Sequence, residues 1–299
     1  MDRLLSMAVF VRAVDLGSFA AAAEALRLSG PMVGKHVRFL EERLGVRLIN
    51  RTTRRQSLTD FGRAYYERCK VVLAEADAAD ELAADQLCAP RGRLRVTMPA
   101  LLGRYCVMPA LLKFAQQYPL LELDLSFSDR IADLAEGGFD LAIRTGNLED
   151  RAGVIARRVA RHRMVVCASP SYIEMHGQPL QIEDLASHHA IIYSRPGWVH
   201  PWLFARKEQA PREVMPVSRV KLDDMDAIAD AAAAGFGLAW LPSWLIRERV
   251  EAGTLVRLLT AQPAYAFDNY AMWLQTPHLP LKVRLAVDAL AVDLPKVMA

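Results

Sequence analysis

Five basic residues near the start of the chain fall in two tight groups. Lys35 and Arg38 are three apart, which puts them on one face of a helix. Arg51, Arg54 and Arg55 crowd the segment Arg51-Thr52-Thr53-Arg54-Arg55-Gln56. Cations at such spacing bind phosphate, and arginine on a projecting turn can enter a minor groove. A second set carries less charge: Thr97, Pro99, Ala100, Ser128, Arg144, Thr145, Tyr193 and Asp224. Hydroxyls around one arginine suit a small carboxylate. Covalent and metal chemistry find no support. Cys69, Cys88, Cys106 and Cys167 lie far apart without metal-ligand or Cys-x-x-Cys spacing. No nucleophile elbow, metal box or phosphate loop occurs. The expectation is a binding protein with no metal or cofactor, not an enzyme. Its thiols are expected reduced and partly buried, with a redox role for Cys106 or Cys167 left open.

The elements that must position these groups follow from periodicity. Leu4, Met7, Phe10, Val11 and Val14 form a helical stripe that stops at Gly17. Ser18 is placed to cap an Ala-rich helix from Phe19 to Arg27. After Leu28-Ser29-Gly30, Ser29 is placed to cap a third helix with Pro31 in its first turn. Val33, Val37, Leu40 and Leu44 make the buried stripe of that helix. Gly30, Pro31, Gly34, Lys35 and Arg38 then face outward, with Met32 and His36 near the edges. Two helices, a short turn and a second helix with a basic outer face make a helix-turn-helix. A short strand at residues 45–50, the basic turn and a return strand from Ser57-Leu58 form a wing, and Thr59 caps the next helix. Residues 1–63 hold eleven Lys or Arg against six Asp or Glu, whereas residues 64–88 hold two against six. A basic head on an acidic spacer is a polyanion-binding module on a solvated helix.

These stretches resemble the N-terminal domain of LysR-type transcriptional regulators. The matching pieces are Ser18-Phe19, Ala21-Ala22 through Leu26, Leu28 and Ser29, Leu40-Glu41 with Leu44-Gly45, Arg51-Thr52, and Leu58-Thr59 with Gly62. The resemblance implies double-stranded promoter DNA as partner. The DNA-contacting set is then Ser29, Pro31, Met32, Gly34, Lys35, His36, Arg38, Arg51, Thr52, Arg54 and Arg55. One departure stands out. The family usually carries Gln-Ser and a second Ser at the start of the recognition helix, where this chain has Gly30, Pro31 and Gly34. Base readout must then lean on Lys35, His36 and Arg38, on apolar contact of Pro31 or Met32 with thymine methyls, and on DNA shape.

From Phe61 to Cys88 the positions Tyr65, Cys69, Val72, Ala76, Ala79 and Ala83 alternate steps of four and three residues, the heptad mark of a helix packed along another. With the resemblance this reads as a dimerisation helix, and the family commonly builds tetramers from dimers. Beyond Cys88-Ala89-Pro90, strands and helices alternate as in a parallel sheet. The overall class is α/β. A winged helix-turn-helix (1–60), a linker helix and hinge (61–90) and a two-lobed effector domain (91–299) are expected. Lobe I takes about 91–162 and 267–299, and lobe II about 163–266. Ligands bind such sheets at the carboxyl ends of the strands, where the second residue set lies. The stretches Phe139–Arg144 and Gly235–Pro242 match the periplasmic-binding-protein-like domain of the family, whose effectors sit between lobes. An activator of this kind also meets RNA polymerase. The N-terminus lacks a secretory pattern and no segment reads as a membrane span, so the expected location is the cytoplasm. The other readings are a redox-sensing regulator or a non-regulatory solute-binding protein.

Overall fold

The computed structural model describes every residue except 52–55, 87–88, 131–132, 147–151 and 196–197. The chain divides into two compact units, Met1–Ala89 and Pro90–Ala299.

The first unit contains α1 (Arg3–Asp15), α2 (Phe19–Leu26), α3 (Gly30–Leu44), the hairpin β1 (Ile49–Arg51) and β2 (Gln56–Leu58), and α4 (Asp60–Gln86). Local chemistry sets the helix ends. Asp2 Oδ1 accepts the Leu5 N–H at 2.8 Å, and Ser18 Oγ accepts from Ala20 and Ala21. Both satisfy donors that a first turn leaves orphaned. Gly45, at φ 72°, closes α3 in the left-handed conformation. Val9, Ala13, Ala22, Ala23 and Val33 form one small core, where the alanines let the helices approach closely. Met7, Phe10, Val37, Leu40, Leu48, Ile49 and Cys69 form the other.

The long helix is a single element, but its apolar stripe is divided. Cys69 is buried and Tyr65 half-buried in the core of their own unit, with the Tyr65 and Phe10 rings 6.0 Å apart. These two positions pack on α1 rather than waiting for a second chain. Val72 is exposed and Ala76 half-exposed. The side chains of Ala79 and Ala83 lie outside the described residues. Gly62 marks where α4 passes closest to the wing: a Cβ there would stand 2.0 Å from the Leu48 carbonyl oxygen.

The second unit runs β3 (Gly92–Met98), α5 (Ala100–Leu102), a π-helical turn (Gly103–Val107), α6 (Met108–Gln116), β4 (Leu121–Phe127), α7 (Leu134–Gly137) and β5 (Leu141–Thr145). It continues with β6 (Val154–Ala168), α8 (Pro170–His176), a 3-10 turn (Ile182–Ser187), β7 (Ala190–Arg195), β8 (Trp198–Val199), β9 (Trp202–Arg206) and β10 (Gln209–Val214). Then come β11 (Ser218–Leu222), α9 (Met225–Ala233), β12 (Ala239–Pro242), α10 (Arg247–Glu251), β13 (Val256–Leu258), β14 (Ala266–Leu274) and α11 (Leu281–Met298). The main sheet has the order β12-β6-β14-β5-β3-β4, with β13 also on β6. Strands β3, β4 and β5 are parallel, as are β7 and β11.

Strand β6 is where the structure departs most from expectation. The expected start of lobe II near residue 163 falls inside this strand, which already runs from Val154. Its first part pairs with β14, from Val154↔Leu274 to Arg163↔Ala266, and its last part pairs with β12 and β13. The cluster Arg157, Arg158 and Arg161 hides this strand from a hydrophobicity reading. One of its faces is solvated, and these residues are tied to Asp288 and Asp268. Two apolar regions flank the crossing. Leu94, Val96, Leu111, Ile143, Val287 and Leu290 belong to lobe I. Val166, Tyr172, Ile192, Trp202 and Trp240 belong to lobe II, continuous along β6 with the cluster around Cys167 and Ile228. The last helix runs on to Met298, its final turns held by the buried Leu294 and Met298.

At the crossing sits a polar chain that runs from Thr145 at the surface to the buried Asn269 and His162. Thr145 Oγ1 donates to Asn269 Oδ1 at 2.7 Å, and Asn269 Nδ2 lies 2.9 Å from His162 Nδ1. The amide donates, so His162 Nδ1 accepts and the ring is neutral. Burial holds its pKa down at about 4. The unfolded chain therefore binds a proton near pH 6.5 that the folded chain refuses until about pH 4. Stability from this group is whole above pH 6.5 and falls as pH drops toward 4, by roughly 3 kcal/mol in total. A pH series of thermal melts on wild type and His162→Gln checks this, the variant losing less on acidification. A second expectation concerns Gly62. Gly62→Ala must push the wing base and α4 apart and destabilise the first unit by about 1–3 kcal/mol, read as an earlier melting transition of that unit.

Candidate nucleic-acid interface and effector site

The buried stripe Val33, Val37 and Leu40 fixes the rotation of α3 about its axis, since all three are fully enclosed. Its opposite face is bare. Pro31, Met32, Lys35 and Arg38 are exposed and Gly34 half-exposed. Ser29 occupies the capping position, but its hydroxyl makes no cap bond, and its carbonyl takes the Met32 and Val33 N–H groups instead. That hydroxyl stays at the exposed start of α3. Gly30 and Gly34 have open space where a Cβ would stand, nothing lying within 4 Å.

His36 belongs to the inner side, contrary to its expected place among the DNA contacts. It is 3% exposed, and its Nδ1 lies 2.9 Å from Ser6 Oγ. Ser6 spends its own proton on the Asp2 carbonyl at 2.6 Å, so His36 Nδ1 must donate. Burial lowers the pKa of His36, the positive N-terminus adding to this. The side chain therefore joins α3 to α1 and cannot touch a base edge.

The wing base is bound to the end of α3 by a carboxylate. Glu41 Oε1 accepts the Leu48 and Ile49 N–H groups at 2.9 and 3.3 Å. Thr59 Oγ1 donates to the Arg47 carbonyl at 2.8 Å and accepts the Gly62 N–H at 2.8 Å. It thereby caps α4 and pins the returning strand together. Arg51 ends β1 opposite Gln56. The expected contacts Thr52, Arg54 and Arg55 lie outside the described residues.

In the second unit the strand ends gather most of the expected effector set. Thr97 is fully buried on β3, and its Oγ1 accepts from Arg144 Nη2 at 3.3 Å. Arg144 also donates to the carbonyls of Ile143 and Arg130, at 2.9 and 3.2 Å. Among the described residues no carboxylate stands within ion-pair distance of it. Its guanidinium is desolvated by burial, which lowers its pKa, and Asp129 is the nearby charge that opposes this. Pro99 opens α5, its carbonyl accepting the Gly103 N–H. The Ala100 N–H donates to Asp129 Oδ1 at 3.3 Å, and Ser128 Oγ accepts the Arg130 N–H at 3.3 Å. From lobe II, Arg195 reaches Asp129 Oδ2 at 3.2 Å and lies over the Tyr193 ring, 5.3 Å from its centroid. A second tie between lobes runs from Tyr105 Oη to Asp226 Oδ2 at 2.9 Å, with Arg249 behind it.

Two of the expected effector contacts are otherwise engaged. Asp224 caps α9, its Oδ1 accepting from Asp226 and Ala227 at 2.8 Å each. Thr145 gives its proton to Asn269. Asp129 and Arg195 are absent from the expected set, and only the folded ends of β4 and β7 bring them together. The thiols are placed for packing. Burial pushes Cys69 up to about 11 and Cys106 and Cys167 up to about 12, so each is protonated at neutral pH and unreactive. Cys88 lies outside the described residues.

Comparison with known proteins agrees with both halves. Residues 4–63 match the family described as bacterial regulatory helix-turn-helix protein, lysR family. Residues 89–294 match the LysR substrate binding domain. An HTH-type transcriptional repressor of Pseudomonas aeruginosa is 35% identical over 96% of this chain and 91% of its own. The solved structure of CrgA, a LysR-type transcriptional regulator from Neisseria meningitidis, is 32% identical. It covers 97% of this chain and 98% of that one, with a TM-score of 0.60. The Vibrio cholerae virulence activator AphB is 25% identical, with coverage of 97% and 98% and a TM-score of 0.60. The two family matches and the near full-length likeness agree with the helix-turn-helix unit and the α/β unit described above, and the chain belongs to the LysR-type family of DNA-binding transcriptional regulators.

Proposed function

We propose that this regulator reads duplex promoter DNA through Ser29, Pro31, Met32, Gly34, Lys35 and Arg38 on α3, with Arg51, Thr52, Arg54 and Arg55 on the wing, and that a small anion bound between the lobes sets its activity. The observation that carries the effector reading is Arg144. It is a desolvated cation held by carbonyls and one hydroxyl, with no carboxylate in ion-pair range among the described residues. Such a group gains most from an incoming anion, because its own desolvation has already been met by the fold. Asp129 bridges toward Arg195 at the same place. An effector carboxylate would take up Arg144 and compete with Asp129 for Arg195, exchanging one weak, half-exposed ion pair for a better one and changing the lobe angle. Thr97, Ser128, Ala100, Pro99, Thr145 and Tyr193 line this region in the proposal, and Asp224 acts on it only by capping α9. The buried, protonated thiols weigh against the cysteine-sensing alternative.

The proposed assembly is a homodimer or homotetramer in the cytoplasm. The exposed Val72 and the half-exposed Ala76 on α4 support pairing through that helix, since two half-sites multiply affinity and specificity. When it activates, the regulator would contact RNA polymerase.

Genomic footprinting with the full chain supplies the sites. On a footprinted duplex, Arg38→Ala weakens binding to specific and random DNA alike and lowers the salt slope by about 1. Lys35→Ala instead alters the ranking among sequences. Equal curves for wild type and both variants would show that α3 is turned the other way. For the effector, thermal melts are run with a panel of small carboxylates and their neutral amides. An acid at 100 times its Kd raises stability by about 2.7 kcal/mol, its amide does not, and Arg144→Gln removes the response. Equal stabilisation by acid and amide would refute the anion reading.

A further inference from the structure

Gly34 lies well inside α3, where glycine is the poorest helix former after proline. Nothing among the described residues asks for it. Its φ is negative and a Cβ would meet no atom within 4 Å. Gly30 is open in the same way at the first helical position. Neither glycine is a hinge, because the stripe Val33, Val37 and Leu40 holds the helix rigid on its other side. The bare backbone at Gly34 shares its face with Pro31, one turn before it, and with Lys35 and Arg38. The demand for a missing side chain therefore comes from outside the chain, from whatever this face meets.

We infer that Gly34 determines sequence specificity by letting the α3 backbone sit directly against thymine methyl groups in the major groove. A thymine C5-methyl projects from the groove edge and is the one apolar group there. An uncovered Cα and the Pro31 ring offer it a flat apolar seat, while Lys35 and Arg38 hold the flanking phosphates or guanines. A polar side chain at position 34 would read bases by hydrogen bonding at a greater distance. The glycine replaces that reading with close apposition, which any added carbon obstructs. The inference rests on α3 being the base-facing helix.

The experiment uses the full chain and a duplex enriched from random DNA by repeated selection with the wild-type protein. Affinities are measured for wild type, Gly34→Ala and Arg38→Ala on this duplex and on the same duplex with dU in place of dT. The melting temperature of each variant is taken in parallel. Gly34→Ala melts at or above the wild-type temperature, since alanine favours the helix, yet binds the thymine duplex about tenfold or more weakly, the scale of one lost base contact. Removing the methyls weakens wild type about fivefold or more and costs Gly34→Ala less, the two changes being non-additive. Undiminished binding by Gly34→Ala, or indifference of wild type to dU, overturns the inference. Arg38→Ala separates the two levels. Its loss of affinity beside an unaffected Gly34→Ala overturns the glycine reading alone, and no loss in either variant overturns the placement of α3 as well.

Discussion

A helix that reads its target with one side must be held entirely by the other. Three apolar residues, Val33, Val37 and Leu40, do this for α3, each fully enclosed. Their burial fixes the rotation of the helix to within the width of a side chain, and every exposed position takes its direction from that. The hydrogen bond between His36 and Ser6 adds a polar tether to α1 that apolar packing cannot supply, because it has one geometry. The small core formed by Ala22, Ala23 and Val9 does the rest, setting α2 close behind α3. The third helix is thus held rigid by contacts on its inner face alone.

The effector unit solves a different problem, keeping two lobes in register. One strand, β6, belongs to both. It pairs with β14 over its first part and with β12 and β13 over its last, so neither lobe can slide along it without breaking a ladder. Side-chain ties at the strand ends are weaker by comparison. The pair Asp129–Arg195 is about half exposed, and such pairs contribute about 0–1 kcal/mol. The register of the lobes thus rests on the continuous strand, and the side-chain ties add little to it.

Much of this was legible in the sequence because it rests on local rules. The stripe on α3, the Ser18 cap, the Gly17 stop and the parallel strands β3, β4 and β5 each follow from short-range spacing, whereas Gly45, read as the start of a strand, instead ends α3. What escaped detection depends on contacts between distant segments. His36 sits one residue from Val37, at the boundary of the stripe, where an imidazole can turn either way. Only Ser6, on another helix, decides it. Tyr65 and Cys69 obey a 3.5-residue repeat whether the helix they pack on is in the same chain or another. Asp224 carried its own signal, since an aspartate just before an Ala-rich helix is a cap, and its nearness to a strand end obscured this. Strand β6 was hidden because its arginines face solvent and mask the alternation. Asp129 and Arg195 share no motif at all.

The bond from Glu41 to the backbone of Leu48 and Ile49 has a mechanical meaning for the nucleic acid. It welds the end of α3 to the start of β1, so that, in the proposed reading with the helix in one groove and the wing at the next, the two cannot adjust independently. With the protein unable to yield, any mismatch between their spacing and that of relaxed B-form DNA must be taken up by the duplex. Groove width and bendability then enter the energy of every complex. Operators with flexible pyrimidine–purine steps between the contacted segments would be favoured although no side chain touches those base pairs.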